Sequence, residues 1–322
     1  MKTWSVCGVD IAPGEKKQIT LQPNTEGYGI PATALCGMED RMTVVITAGI
    51  HSDEYPGIAA SIKLASELDP LQLKGRLLII HCMNISGFWA HSPAVVPEDG
   101  TNLNRIYPGC PNGGVGDRIA DYIVREVFPH ADFLIDLHSG GLMEPLTPLL
   151  FLPAEEANEK LHRISISAAQ ATDIPYLISS NDSRGHCGYA AKHMEIPVLV
   201  IERGHSGLCL EEWVQGHLKD LRLLLHHFGL YRMNDPYQIC GKKHFREASY
   251  LVSDVKGLWY PAIQENMYVK KGELIGRTED FYGGRIKEYY ADTDATVFYY
   301  ACGLAANIGD ILVVMGYENF VE

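Results

Sequence analysis

Residues 43–69 read TVVITAGIHSDEYPGIAASIKLASELD, a strand, a turn and a helix in one uninterrupted stretch. The run at 43–49 is almost wholly apolar, as in a strand covered on both faces. Pro56 then opens a segment, 56–69, in which Ile58, Ile62, Ala65 and Leu68 recur with a helical period. The same alternation continues outward. Strand-like runs stand at 76–82 (RLLIIHC), 132–138 (DFLIDLH) and 197–202 (PVLVIE), and helical patterns at 115–128, 154–171 and 209–228, with Asn234-Asp235-Pro236 closing the last. Strands alternating with helices require crossover connections, which predicts an α/β fold: a mostly parallel mixed sheet covered by helices.

Both ends of the chain depart from this rhythm. Residues 1 to about 40 are short strand-like runs broken by Pro13-Gly14, Pro23-Asn24 and Gly27 to Pro31, a β apron leading into the main fold. Beyond about residue 243 the helical period vanishes and glycines punctuate short strands. The expected division is therefore 1–240 for the α/β domain with its apron and 241–322 for a small β-barrel-like domain. That second region resembles the lipoyl/biotinyl-like barrel. Where the resemblance implies a cofactor-bearing lysine at the hairpin tip, this chain has Asp292-Thr293-Asp294-Ala295, so a structural flap is expected in place of a swinging-arm carrier.

The chain of 322 residues, 46% hydrophobic and 21% charged, is long enough for a large core. A formal net charge of −13 repels phosphate backbones and anionic lipid, which argues against nucleic acid and membrane as partners. No apolar run of about 18 residues is present. The eight cysteines are scattered without a CxxC, and Cys82 follows the apolar LLIIH, the pattern of buried reduced thiols. A cytoplasmic location is expected. Association of identical chains stays open.

Three expected strands end in ionisable residues. The first runs into Gly49-Ile50-His51-Ser52-Asp53-Glu54, at the carboxyl end of a strand where open α/β sheets place their ligands. Alone, His51 and Glu54 read equally well as a loop histidine and a helix-start carboxylate. The second strand ends in Asp136-Leu137-His138 before Ser-Gly-Gly, bringing another imidazole to the same rim. Two histidines and a carboxylate suit a catalytic zinc site with one position left open. Glu202 ends the third strand, placed for a general base that takes a proton from water and returns it to a leaving amine. Asn104 and Arg105, within DGTNLNRIYPG at 99–109, combine an amide with a guanidinium fork able to grip a substrate carboxylate. No GxSxG, GxxxxGK[ST] or GxGxxG occurs, which disfavours a serine hydrolase and nucleotide-binding classes.

GIHSDE, NLNRIYPG, DLHSGG and PVLVIERG stand in the order and spacing of the succinylglutamate desuccinylase/aspartoacylase family, which is related to the zinc carboxypeptidases, and the chain resembles that family from about residue 40 to 320. The resemblance implies a zinc carboxypeptidase-like fold and one zinc per chain on His51, Glu54 and His138. It further implies Asn104 and Arg105 as carboxylate binders and Glu202 as base. Two positions depart from the pattern. Asn102 stands where the family has an aspartate behind the first zinc histidine. No arginine lies between Asn84 and Arg105 to stabilise an oxyanion, so that role stays unassigned among His91, Arg118 and Arg184. The implied activity is hydrolysis of a small N-acyl amino acid or related amine bearing a carboxylate. A metallocarboxypeptidase acting on short peptides and a catalytically silent metal- or ligand-binding homologue are the alternatives.

Overall fold

The computed structural model describes residues 2–233 and 241–317. A nine-stranded sheet organises the chain, in the spatial order Lys243–Phe245, Tyr176–Ser180, Leu149–Pro153, Val198–Glu202, Phe133–His138, Thr43–Ala48, Arg76–Ile80, Ile30–Cys36 and Glu15–Leu21. Five neighbouring pairs are parallel and three antiparallel. The mostly parallel mixed sheet expected from the apolar runs is thus present. The apron joins it, with Glu15–Leu21 and Ile30–Cys36 adding an antiparallel edge next to Arg76–Ile80.

Successive residues of a strand point to opposite faces, and the core divides accordingly. Val44, Ile46, Ile135 and Leu199 pack against helices Tyr55–Glu67 and Glu211–His227. Val45, Leu134 and Val198 face the other way, toward helices Val115–Tyr122 and His186–Met194. On that second face the alternation carries Thr47, Asp136, His138 and Glu202.

Several expected boundaries move for local reasons. The 115–128 pattern is α-helical only to Tyr122, then widens into a π turn at Ile123–Val127 and tightens into a 3-10 turn at Phe128–His130. Pro129 explains the break, since it donates no backbone hydrogen bond and its ring crowds the carbonyl one turn back. The 154–171 helix begins at Glu159, where the side chain of Asn158 accepts the Leu161 N–H at 3.1 Å. The last helix ends at His227, and Gly229 follows with a φ of +65°. The proposed stop at Asn234-Asp235-Pro236 lies outside the described residues. Among the described residues no helix is long and apolar enough to cross a membrane, and their seven cysteines are free.

After Phe245 the chain forms two antiparallel four-stranded sheets. They enclose a core of Trp259, Val269, Ile275, Val297, Leu312 and Met315. A second cluster, Leu149, Ile178, Phe245, Phe298 and Val314, ties these sheets to the central one. At the 291–295 tip Asp294 accepts hydrogen bonds from the Lys271 N–H and the Tyr268 hydroxyl, and so ties the tip to the neighbouring strand Tyr268–Val269.

Two glycines set the entrance to the central rim. Gly49, at φ +66°, turns the chain out of strand Thr43–Ala48 in a conformation that side chains disfavour. Gly57 lets helix Tyr55–Glu67 lie directly on the Phe133–His138 strand; a Cβ there would stand 2.8 Å from the Leu137 Cβ. Gly57→Ala is expected to cost about 1–3 kcal/mol through overpacking, read as a lowered denaturant midpoint with unchanged slope.

Candidate metal centre

Parallel pairing aligns the ends of the central strands. Glu202 stands in register with His138, and Ala48 with Leu137, so the turn that follows Ala48 rises beside His138. Glu54 occupies the N-cap position of helix Tyr55–Glu67, yet its side chain caps nothing there. It points instead at two imidazoles. The His51 Nδ1 lies 2.8 Å from Glu54 Oε1, and the His138 Nδ1 lies 2.9 Å from Glu54 Oε2. The ligand atoms of the three residues all fall within 4.8 Å of one another.

The outer nitrogens show why this arrangement fits a metal. His138 Nε2 lies 2.9 Å from Asp136 Oδ2, and Asp136 is held as a carboxylate, so that nitrogen carries the proton. His51 Nε2 lies 3.2 Å from Asn102 Oδ1, which also accepts the Asn104 N–H at 2.9 Å. That oxygen can only accept. Each neutral ring therefore turns a bare Nδ1 lone pair toward Glu54, whose buried Oε2 has no hydrogen-bond donor. Lone pairs facing a carboxylate demand a cation between them, either extra protons or a metal ion. With protons alone, two buried imidazoliums would share the Glu54 carboxylate, and His51 would have no other carboxylate partner, an expensive solution.

The titrations follow the same logic. For Glu54 burial favours the neutral acid, but His138 and His51 outweigh it and bring the group down to about 2. Burial opposes charge on His138 as well, and Glu54 and Asp136 override it, holding the ring well above its ordinary range. Glu202 is pushed up to about 8, first by burial and then by Glu54 and Glu144, against the pull of His138 and His51. A divalent cation on the three ligands would draw it back toward ionisation. A carboxylate poised in this way can exchange protons near neutrality.

The remaining sequence candidates separate. Leu103–Arg105 forms a single 3-10 turn, and Arg105 is exposed, its guanidinium donating to the Asn104 carbonyl at 2.8 Å. The Asn104 side-chain oxygen is already used, accepting the His186 N–H at 2.9 Å, which leaves only its amide N–H groups for a ligand. Arg118 donates to the Gly113 carbonyl and lines a separate cleft with Gln22 and Asn24. His91 ends helix Ile85–Ala90 with a φ of 54°. The Arg184 carbonyl accepts the Tyr107 N–H. None of the three reaches the metal centre through a hydrogen bond among the described residues. His205 packs on Trp213, ring centroids 4.5 Å apart.

Three residues that the sequence reading passed over stand at this site. Burial raises the hydroxyl pKa of Tyr250 and Tyr299, from the C-terminal sheets, and the charges of Glu202 and Arg105 act on both. The apolar neighbours of Tyr299 in VFYYA suit a packed strand and hide its hydroxyl's surroundings. The third is Glu144. Its Oε2 accepts the Gly141 N–H at 3.3 Å, while Asp53 Oδ2 accepts the next amide, Leu142, at 3.0 Å. Burial raises the pKa of both acids, and the Glu54 charge raises each further. The 143–147 segment that positions Glu144 is bonded to the C-terminal region through Leu146 with Tyr299 and Met143 with Cys302.

Residues 40–226 match the Succinylglutamate desuccinylase/Aspartoacylase catalytic domain. The chain is 30% identical over 282 residues to the N-alpha-acetyl-L-2,4-diaminobutyric acid deacetylase of Halomonas elongata, covering 85% of this chain and 81% of that protein. Among solved structures it is similar to a succinylglutamate desuccinylase from Silicibacter sp. TM1040, with a TM-score of 0.82, 27% identity and 94% of each chain covered. It is also similar to the product-bound ectoine utilization protein EutE (DoeB) from Ruegeria pomeroyi, with a TM-score of 0.81, 27% identity, and 90% of this chain and 89% of that one covered.

Removing either imidazole should abolish stoichiometric metal. Metal analysis of purified His51→Ala and His138→Ala is expected to give well below one ion per chain where the parent holds about one; full occupancy in both variants contradicts the site.

Proposed function

The chain belongs to the succinylglutamate desuccinylase/aspartoacylase family, and from that premise we propose that it is a zinc-dependent deacylase of small N-acyl amino acids. The observation that carries the reading is the placement of Glu202 in register with His138, beside three convergent metal-ligand atoms. His51, Glu54 and His138 would hold the zinc, which when bound supplies a Lewis acid for the acyl oxygen and acidifies water. Glu202 takes the proton of the attacking water on its carboxylate and delivers it to the leaving nitrogen. Arg105 holds the substrate carboxylate through its fork, with the Asn104 amide N–H groups beside it. The C-terminal sheets, which bring Tyr250 and Tyr299 within range of the Arg105 and Glu202 charges, narrow the mouth in favour of a small substrate over a polypeptide. The scattered free thiols support a reducing compartment, read here as the cytoplasm.

The charges around the crevice narrow the substrate class. Arg105 offers one cation, whereas Glu144 and Asp53 add acids on the side of Gly141. An N-acyl diamino acid presents the matching pair, a carboxylate and an ammonium. Nα-acetyl-L-2,4-diaminobutyrate, named for the Halomonas relative, is such a compound and is proposed as the model substrate.

Turnover of that compound with Glu202→Gln tests the mechanism. Glutamine keeps the shape without accepting a proton, so kcat should fall on the order of 10²–10⁴-fold while zinc is retained. Activity within a few-fold of the parent removes Glu202 from the reaction. The charge assignment predicts that Arg105→Lys lowers kcat/KM for N-acetyl amino acids by about tenfold, because a point charge does not reproduce the planar fork. Glu144→Gln should cost about as much for the amine-bearing substrate and little for Nα-acetylalanine. Equal effects on the two substrates would contradict the ammonium contact.

A further inference from the structure

Thr47, Asp136 and His186 are buried polar residues in an otherwise apolar layer, where each polar atom must find a partner. Their hydrogen bonds have one consistent polarity. Asp136 only accepts. Its Oδ2 takes the Nε2 proton of His138 at 2.9 Å, and its Oδ1 takes the Thr47 hydroxyl proton at 2.6 Å. The Thr47 oxygen then has lone pairs left, so the His186 Nε2, 3.3 Å away, is the donor to it. Nδ1 of His186 is left as an acceptor, and the Tyr107 hydroxyl donates into it at 2.9 Å. Burial pushes His186 down to about 4, which keeps the ring neutral with one donor and one acceptor nitrogen.

The far end of this chain is the loop that carries Arg105. Tyr107 lies two residues beyond Arg105, and Asn104 in the same loop fixes the backbone of His186 by accepting its N–H at 2.9 Å. The loop also reaches the other imidazole directly, through Asn102 to His51. One short stretch thus touches the outer side of His51 directly and is linked to that of His138 through His186, Thr47 and Asp136.

We propose that Thr47, His186 and Tyr107 are positioning residues whose hydrogen-bond chain holds Asp136, so that His138 keeps its proton on Nε2 and turns Nδ1 toward the metal. The proposal rests on the reading of His51, Glu54 and His138 as the zinc ligands. Without the Thr47 hydroxyl, Asp136 loses one of its two close donors and can rotate, and the His138 ring loses its fixed orientation. Groups behind a metal-ligating histidine typically contribute 10–100-fold to affinity.

Chelator competition measures zinc affinity in the parent, Thr47→Val, Thr47→Ser and Tyr107→Phe, with visible absorption of the cobalt-loaded proteins and thermal midpoints of the metal-free ones alongside. Valine keeps the shape of threonine without the hydroxyl; serine keeps the hydroxyl. The expected result is zinc affinity lowered about 10–100-fold in Thr47→Val, lowered at least about threefold in Tyr107→Phe, and unchanged in Thr47→Ser. The cobalt spectrum should shift in Thr47→Val alone of the two Thr47 variants. If Thr47→Val does not fold, Tyr107→Phe decides, because it removes a single hydroxyl at the remote end of the chain. Parent-like affinity in Thr47→Val and Tyr107→Phe, or equal losses in Thr47→Val and Thr47→Ser, overturns the proposal. A parent that takes up no zinc overturns the metal reading beneath it, a result separable from any difference among the variants.

Discussion

A carboxylate buried between two unprotonated imidazole nitrogens requires a cation, and the rim of this protein is arranged around that requirement. Glu54 stands between His51 and His138 at 2.8 and 2.9 Å. The outer nitrogens of both rings are committed to Asn102 and Asp136, so neither ring can satisfy Glu54 with a proton without becoming charged. The two supports differ. Asp136 adds a negative charge behind His138, whereas the neutral amide of Asn102 orients His51 without making it more basic. The two histidines are therefore inequivalent, and His138 is the more strongly braced.

Much of this was legible in the sequence because a parallel sheet converts strand order into spatial order. The runs at 43–49, 132–138 and 197–202 are mostly apolar and lead into His51, His138 and Glu202, and an ionisable residue at or just past the end of a doubly covered strand emerges at the sheet's rim. The same alternation that sends Val45 and Leu134 into one layer carries Thr47, Asp136 and His138 along it. What a single strand cannot reveal is which neighbours it meets. Leu149–Pro153 and Tyr176–Ser180 are short runs without a strand's alternation that a helix could equally bury, and only their pairing, the first with Val198–Glu202 and the second with the first, makes them strands of the central sheet.

The parts of the site supplied from a distance were hidden for a different reason. Tyr250 and Tyr299 lie in strands whose pattern is explained by their own β core, and nothing local shows that the charges of Arg105 and Glu202 act on their hydroxyls. Glu144 follows the glycine pair after His138, where loop conformation and the anchorage of 143–147 to the C-terminal sheets decide where its carboxylate lies. In the same way, Asn104 reads as a ligand-binding amide, yet its oxygen is consumed by the His186 N–H. Sequence spacing shows which chemistry reaches the rim; hydrogen-bond accounting shows how much of it remains available to a ligand.

The central claim, a metal held by the two Nδ1 atoms and the Glu54 carboxylate, is tested most directly by an anomalous difference map from zinc-loaded crystals recorded on either side of the zinc absorption edge. The account predicts one strong peak at about 2.0–2.2 Å from the His51 Nδ1, the His138 Nδ1 and a Glu54 oxygen, with both Nε2 atoms still turned toward Asn102 and Asp136. A peak bound through either Nε2, or placed away from these three side chains, would contradict it.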